Sequence, residues 1–227
     1  MSPVPNFTKL LVFAKVPRLG QVKTRLEPFL GAKCCLLLHQ CLIAHAMELA
    51  SGWTAGPVEL WLADQPNKDD LPLNTPESVA IRYQEAGNLG ERMQFALQSA
   101  VSNGYSAVLI GTDSPQQNLS HLEEATSLLN SGADVIVQPA LDGGFVLIAC
   151  ANKVPNMSGD IDWGTVNVLD QLQKVLKNQR LSCYNLETIS DLDTREDIIL
   201  LQEVKSVFLS DFYKKAKLHT IENIPLN

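Results

Sequence analysis

Short apolar runs alternate along the chain with longer stretches of helical character. The runs over residues 10–14, 58–63, 79–83, 107–110, 133–139, 145–150 and 181–186 have the length of strands. The first is apolar without a break, as expected of a strand buried on both faces. Between the runs, the pattern predicts helices over about 32–50, 89–102, 120–131 and 166–178. A further helix is expected from the 191–197 stretch to about residue 208, with 209–227 left as a tail or terminal helix. Punctuation supports these limits: a bend at Glu27-Pro-Phe-Leu-Gly31, Ser51-Gly52 and Gly56-Pro57 after the first helix, and a polar loop over 64–76. Ser120 with Glu123, and Thr194 with Asp197, have the spacing of capping boxes. This strand–helix alternation predicts one α/β domain over residues 1–227, a three-layer α/β/α sandwich with a mostly parallel mixed sheet.

Composition narrows the function classes. With 45% hydrophobic and 19% charged residues in 227, the chain can bury a sizeable core. The net charge of -7 disfavours nucleic acid as a partner, because that affinity comes from phosphate neutralisation. The five cysteines have no CxxC spacing and read as buried thiols in a reducing compartment. Residues 34–50 are apolar but interrupted by His39, Gln40, His45 and Glu48, so no membrane span is expected, and residues 1–9 do not read as a signal peptide. A cytoplasmic protein is the expectation. His39 and His45 are six apart, on different faces of a helix, and read as structural.

Against this acidic background, one loop is cationic. Lys15, Arg18, Lys23 and Arg25 follow the first strand, where an open α/β sheet places its ligands, and suit an anion such as a nucleotide phosphate. Gly87 and Gly90, at the start of the 89–102 helix, would permit close backbone approach by an anion. Asp113 stands just past the 107–110 strand, and Asp191 and Asp193 lie one residue apart. Three such carboxylates can grip one Mg²⁺ or Mn²⁺ ion, although Asp113 could also serve merely to cap a turn. Asp142-Gly143-Gly144 joins two strands and is either a turn or a place where substrate lies against the backbone.

Five stretches, 13–26, 84–93, 110–115, 139–145 and 191–197, together resemble the GT-A-fold nucleotide-dependent transferases. The likeness is greatest to bacterial glycosyltransferases and to transferases associated with radical-SAM and selenium domains. Phospholactate and molybdenum-cofactor guanylyltransferases look like more distant relatives. The resemblance implies the GT-A (nucleotide-diphospho-sugar transferase) fold, a nucleotide over the first half of the sheet, Lys23 and Arg25 against its phosphates, and Asp113, Asp191 and Asp193 as metal ligands. Two departures stand out: Asn88 replaces the usual Asp, and Thr112-Asp113-Ser114 lacks a paired Asp-x-Asp. The implied reaction is metal-assisted transfer from a nucleotide sugar to a small-molecule acceptor, with Asp113, Lys23 and Asp142 as catalytic candidates and Asp142, Gly143 and Gly144 facing the acceptor. Nucleotidyl transfer from a nucleoside triphosphate is the alternative, and a catalytically silent nucleotide-binding protein is a third.

Overall fold

The first apolar run forms β1 (Thr8–Ala14), buried along its whole length at the centre of a seven-stranded sheet. A computed structural model describes residues 7–67, 75–159, 161–203 and 206–217. In chain order β1 is followed by a 3₁₀ turn (Thr24–Leu26), α1 (Glu27–Gly52), β2 (Val58–Leu62), β3 (Val79–Tyr83), α2 (Leu89–Ser102) and β4 (Ser106–Gly111). Then come α3 (Leu119–Asn130), β5 (Val135–Pro139), β6 (Phe145–Cys150), α4 (Val168–Asn178), β7 (Cys183–Asn185), α5 (Arg195–Glu203) and α6 (Val207–Ala216). The sheet order is β3-β2-β1-β4-β6-β5-β7. Neighbouring strands are parallel except where β6 runs antiparallel to both β4 and β5. The chain builds outward from β1 to β3 and then resumes at β4 on the other side of β1. A crevice therefore opens beyond the carboxyl ends of β1 and β4, the switch point where such sheets hold ligands.

Alternation along the strands divides the core in two. Leu10, Val12, Val108 and Ile110 face one side, where Ile43, Ala46 and Met47 of α1 and Leu122 and Leu129 of α3 cover them. Leu11, Phe13, Ala107 and Leu109 face the other, under Met93 and Leu97 of α2 and Leu172 and Leu176 of α4. Both faces are apolar because both are covered, which is why β1 carries an uninterrupted run.

Helix α1 has the length and composition of a membrane span over Thr24–Gly52. It is apolar on more than one side because it is packed between layers: Leu38, Cys41 and Leu42 leave the sheet and meet Ile198, Leu201, Leu209 and Phe212 of α5 and α6. Gly31, with non-helical φ 73 and ψ 153, kinks its start at the expected bend. The five cysteines are free thiols; burial pushes Cys35 up to about 11 and Cys150 up to about 12.

Some expected limits are corrected. The helix expected to reach residue 208 ends at Glu203, and of the two alternatives for the end of the chain the terminal helix is present as α6, its Leu209, Phe212 and Tyr213 buried. Residues 68–74, 160 and 218–227 of the expected loop, helix lead-in and tail lie outside the described residues. Asn118, not Ser120, caps α3: its side chain accepts from the His121 amide, and the Ser120 hydroxyl donates to it. The second capping box is present, with the Asp197 carboxylate accepting from the Thr194 amide and hydroxyl.

The connection between β5 and β6 depends on Gly143. Its φ is +88, and a Cβ there would lie 2.1 Å from the Val166 carbonyl oxygen. Gly20, with φ +71, has open space around its position. Gly143→Ala is therefore expected to cost about 2 kcal/mol, a fall in Tm of about 4–8 °C. Gly20→Ala carries only the backbone penalty, about 1 kcal/mol. Thermal denaturation of the two variants side by side checks this; equal losses would contradict the role given to Val166.

Candidate functional site

The crevice holds a cavity of about 530 Å³, within the range of small-molecule sites. Its floor is the carboxyl end of the sheet, at Phe13, Ala14 and Leu109. One wall is the cationic loop, with Lys15, Lys23 and Arg25 lining the cavity. Opposite stand Leu89 and Arg92 of α2, and a third side is formed by Asp142, Gly144, Phe145 and Trp163. Asp113, Asp191 and Asp193 all line the same space.

Backbone bonding explains how residues so far apart in sequence meet here. The 189–193 segment is stapled onto the loop after β4: the Leu192 amide donates to the Asp113 carbonyl at 2.8 Å, the Ser114 hydroxyl to the Ser190 carbonyl at 2.6 Å, and the Ser190 amide to Gln116 Oε1 at 2.7 Å. The Leu141 amide donates to the Ile189 carbonyl, and Ala140 bridges Ile189 in parallel. One irregular segment thus delivers Asp191 and Asp193 beside both Asp113 and Asp142. The 142–144 turn joins two antiparallel strands, and its Asp142 and Gly144 line the cavity.

The cationic loop divides by role. Arg18 turns away, pairing with Asp64 and donating to the Gln65 carbonyl at 3.0 Å. Lys23 is 3% exposed, and its ammonium sits 2.7 Å from Asp113 Oδ1 and 3.8 Å from Asp193 Oδ1 while donating to the Leu192 carbonyl at 2.6 Å. Arg25 is mostly exposed and pairs with Asp193 Oδ2 at 2.9 Å. Lys23 and Arg25, expected against phosphates, are thus engaged with carboxylates. Among the described residues, Lys15 and Arg92 line the cavity without a carboxylate partner.

Arg92 is the residue that sequence reading missed. Its guanidinium donates to Gln84 Oε1 at 3.1 Å and to the Asn88 carbonyl at 3.4 Å, while Gln84 Nε2 donates to the Trp61 carbonyl at 2.9 Å. The signal was its place in the first turn of α2, four residues after the Asn88 cap.

Gly87 and Gly90, expected beside an anion, are not among the residues that line the cavity. Gly87 takes φ +129 beside the cap, where a Cβ would lie 2.4 Å from the Glu91 carboxylate. Gly90 lets α2 pack tightly: a Cβ would lie 2.4 Å from both the Met157 carbonyl and the Trp163 ring. Asn88 caps α2 reciprocally with Glu91, bonds an Asp would also make, so this departure removes no charge from the cavity lining. His39 also lines the cavity; its Nε2 bonds the Lys15 carbonyl at 3.0 Å, fixing the start of the cationic loop, and burial lowers its pKa.

Electrostatics sorts the carboxylates. Burial would raise Asp113, but the charge and hydrogen bond of Lys23 outweigh it and hold the carboxyl below its ordinary value. Asp191 goes the other way. Burial, then the neighbouring charges of Asp142 and Asp197, push it up to about 6. Excess negative charge therefore collects on the Asp142–Asp191 side of the cavity. Among the described residues no three His, Cys, Asp or Glu side chains converge as a ready-made metal cage. The donors are nonetheless all carboxylate oxygens, and Mg²⁺ commonly takes one or two carboxylates and completes its shell with substrate phosphates and water. The residues fit a hard divalent cation in that manner.

No curated protein matches the chain in sequence. Among solved structures, a protein from Desulfovibrio desulfuricans G20 named as a nucleotide-diphospho-sugar transferase is 25% identical, with a TM-score of 0.81 over 97% of this chain and 99% of that one. CMP:2-keto-3-deoxy-manno-octonic acid synthetase complexed with CTP shares the fold at 11% identity, with a TM-score of 0.55 over 90% of this chain and 99% of that one. Rv0371C of Mycobacterium tuberculosis H37Rv, solved in complex with manganese, shares it at 17% identity, with a TM-score of 0.50 over 87% and 98%. Residues 48–165 match the model of the bacterial family described as "Uncharacterized protein conserved in bacteria (DUF2064)". The chain belongs to the DUF2064 family and has the α/β fold of the nucleotide-diphospho-sugar transferases.

Proposed function

We propose that the chain is a divalent-metal-dependent transferase whose donor is a nucleotide sugar and whose acceptor is a small molecule. One observation carries this reading: a single cavity at the sheet's switch point gathers Asp113, Asp142, Asp191 and Asp193 with Lys15, Lys23, Arg25 and Arg92. A purely structural arrangement has no use for so many charges of both signs around a common space, since surface pairs stabilise little. The name of the Desulfovibrio protein supports the choice of donor.

Each group then has a task. Lys15 and Arg92 bind the donor's phosphates, Arg92 already oriented by Gln84. Asp113, Asp191 and Asp193 would hold Mg²⁺ or Mn²⁺, which when bound neutralises charge on the phosphate oxygens. Asp142 accepts a proton from the acceptor hydroxyl, within a turn whose Gly144 amide donates to its Oδ1 at 2.8 Å. Phe145 and Trp163, edge to face with centroids 6.2 Å apart, supply an apolar wall for the acceptor beside Gly144, with Gly143 shaping the turn behind it. The five free thiols support a cytoplasmic location.

A second reading is nucleotidyl transfer from a nucleoside triphosphate to a phosphorylated acceptor. The cations lining the cavity favour it, as does the CTP held by a protein of the same fold. An acceptor phosphate is already a nucleophile, so Asp142 would have no proton to take.

A thermal-shift panel of nucleotide sugars and nucleoside triphosphates, each with and without Mn²⁺, separates these readings. A donor at about 100 times its Kd adds roughly 2.7 kcal/mol, a rise in Tm of about 5–10 °C. The expected result is a Mn²⁺-dependent rise with one nucleotide sugar; a rise with a triphosphate alone selects nucleotidyl transfer, and none at all selects a catalytically silent scaffold. With the nucleotide so identified, Lys15→Met and Arg92→Met are each expected to raise its Kd about tenfold or more by calorimetry. Unchanged affinity would remove these residues from the phosphate site. Asp113→Asn is expected to abolish the Mn²⁺-dependent part of the shift and to lower Tm by a few degrees, because buried Lys23 loses its nearest anion.

A further inference from the structure

The Lys23 ammonium is held between a carbonyl and two carboxylates. An ammonium has three N–H donors, and three oxygens surround this one: Leu192 O at 2.6 Å, Asp113 Oδ1 at 2.7 Å and Asp193 Oδ1 at 3.8 Å. The side chain is almost wholly shielded from solvent. It donates to Leu192 O and lies against Asp113 Oδ1, with Asp193 within ion-pair range but beyond hydrogen-bond distance. The backbone is committed as well, since Lys23 takes φ 51 and ψ 37, a left-handed conformation that few lysines adopt. The two carboxylates it bridges are two of the three that the proposed function gives to a divalent cation. A divalent cation and an ammonium cannot occupy the same space between those oxygens.

We propose that Lys23 is a built-in counter-ion, standing in the divalent cation's place in the ligand-free protein and exchanging with it when the nucleotide binds. This rests on the reading that the site takes a divalent cation with a nucleotide. In the ligand-free state the ammonium neutralises Asp113 and Asp193, so the loop after β1, the loop after β4 and the 189–193 segment hold together without a metal. A cation that takes the position between those two oxygens displaces Lys23 and leaves a buried ammonium without its anions, which opposes binding. A nucleotide changes that balance, because its phosphates offer the displaced ammonium new acceptors. Cation and nucleotide therefore bind cooperatively, each tightening the other by the same factor. Arg25 remains on Asp193 from the solvent side throughout.

The test uses Mn²⁺ alone, titrated into nucleotide-free protein and followed by electron paramagnetic resonance of the free ion. Lys23→Gln removes the charge but keeps an N–H that can reach the Leu192 carbonyl. It is expected to bind Mn²⁺ at least tenfold more tightly than the wild type, and adding Asp113→Asn is expected to remove that gain. Equal or weaker binding by Lys23→Gln overturns the proposal. Should that variant fold poorly by circular dichroism, wild-type crystals soaked in Mn²⁺ and nucleotide decide the matter. Anomalous density on Asp113 with Lys23 Nζ moved out of hydrogen-bond range supports the exchange; an unbroken Lys23–Asp113 contact, with or without Mn²⁺, overturns it. Failure here is distinct from failure of the transferase reading, which the nucleotide panel judges without any change at Lys23.

Discussion

A buried ammonium organises the candidate site. Lys23 follows β1, yet its partners lie on the loop after β4 and on the segment before α5, up to 169 residues away in sequence. A carbonyl and two carboxylates around one charge bring together three stretches that no regular element joins. Desolvating a lysine is costly unless it is paired and hydrogen-bonded, so the folded state holds this geometry strongly. The left-handed backbone at Lys23 belongs to the same constraint, because the chain must turn sharply to send the side chain inward.

The sheet sets the stage for that contact. Building outward from β1 and then resuming at β4 leaves the carboxyl ends of two adjacent parallel strands uncovered by a crossover, and loops from both sides fall into the gap. Antiparallel β6 then brings its leading turn, with Asp142, back to the same edge. The result is a cavity whose charges are unevenly matched. Asp113 and Asp193 are neutralised by Lys23 and Arg25, whereas Asp191 is pushed up to about 6 by burial and then by the charges of Asp142 and Asp197.

The chain also gathers the carboxylates of its cavity from distant segments. Its central motif, Thr112-Asp113-Ser114, offers a single carboxylate, and the others arrive from the 189–193 segment through main-chain bonds to Asp113 and Ile189. Arg92 gains its orientation from Gln84 and from the α2 cap, so a helix placed mainly for packing also turns a cation toward the cavity.

What the sequence by itself determined is the frame. Unbroken apolar runs at 10–14 and 107–110 belong to strands covered on both faces, and period and punctuation located α2 to the residue, because these signals are local consequences of burial and backbone sterics. The pooling of Asp113, Asp142, Asp191 and Asp193 with the cationic loop was also legible, since each stands at the end of a predicted strand or at the start of a predicted helix. The split between α5, which ends at Glu203, and α6, which starts at Val207, was not, because no glycine or proline marks it. Nor were the roles of the cations. Gly90 packs against Trp163 and Lys23 stands between carboxylates, contacts with segments far away in the chain. Only the tertiary structure decided these, because whether a charge faces solvent, a ligand or an opposite charge depends on which distant segment folds over it.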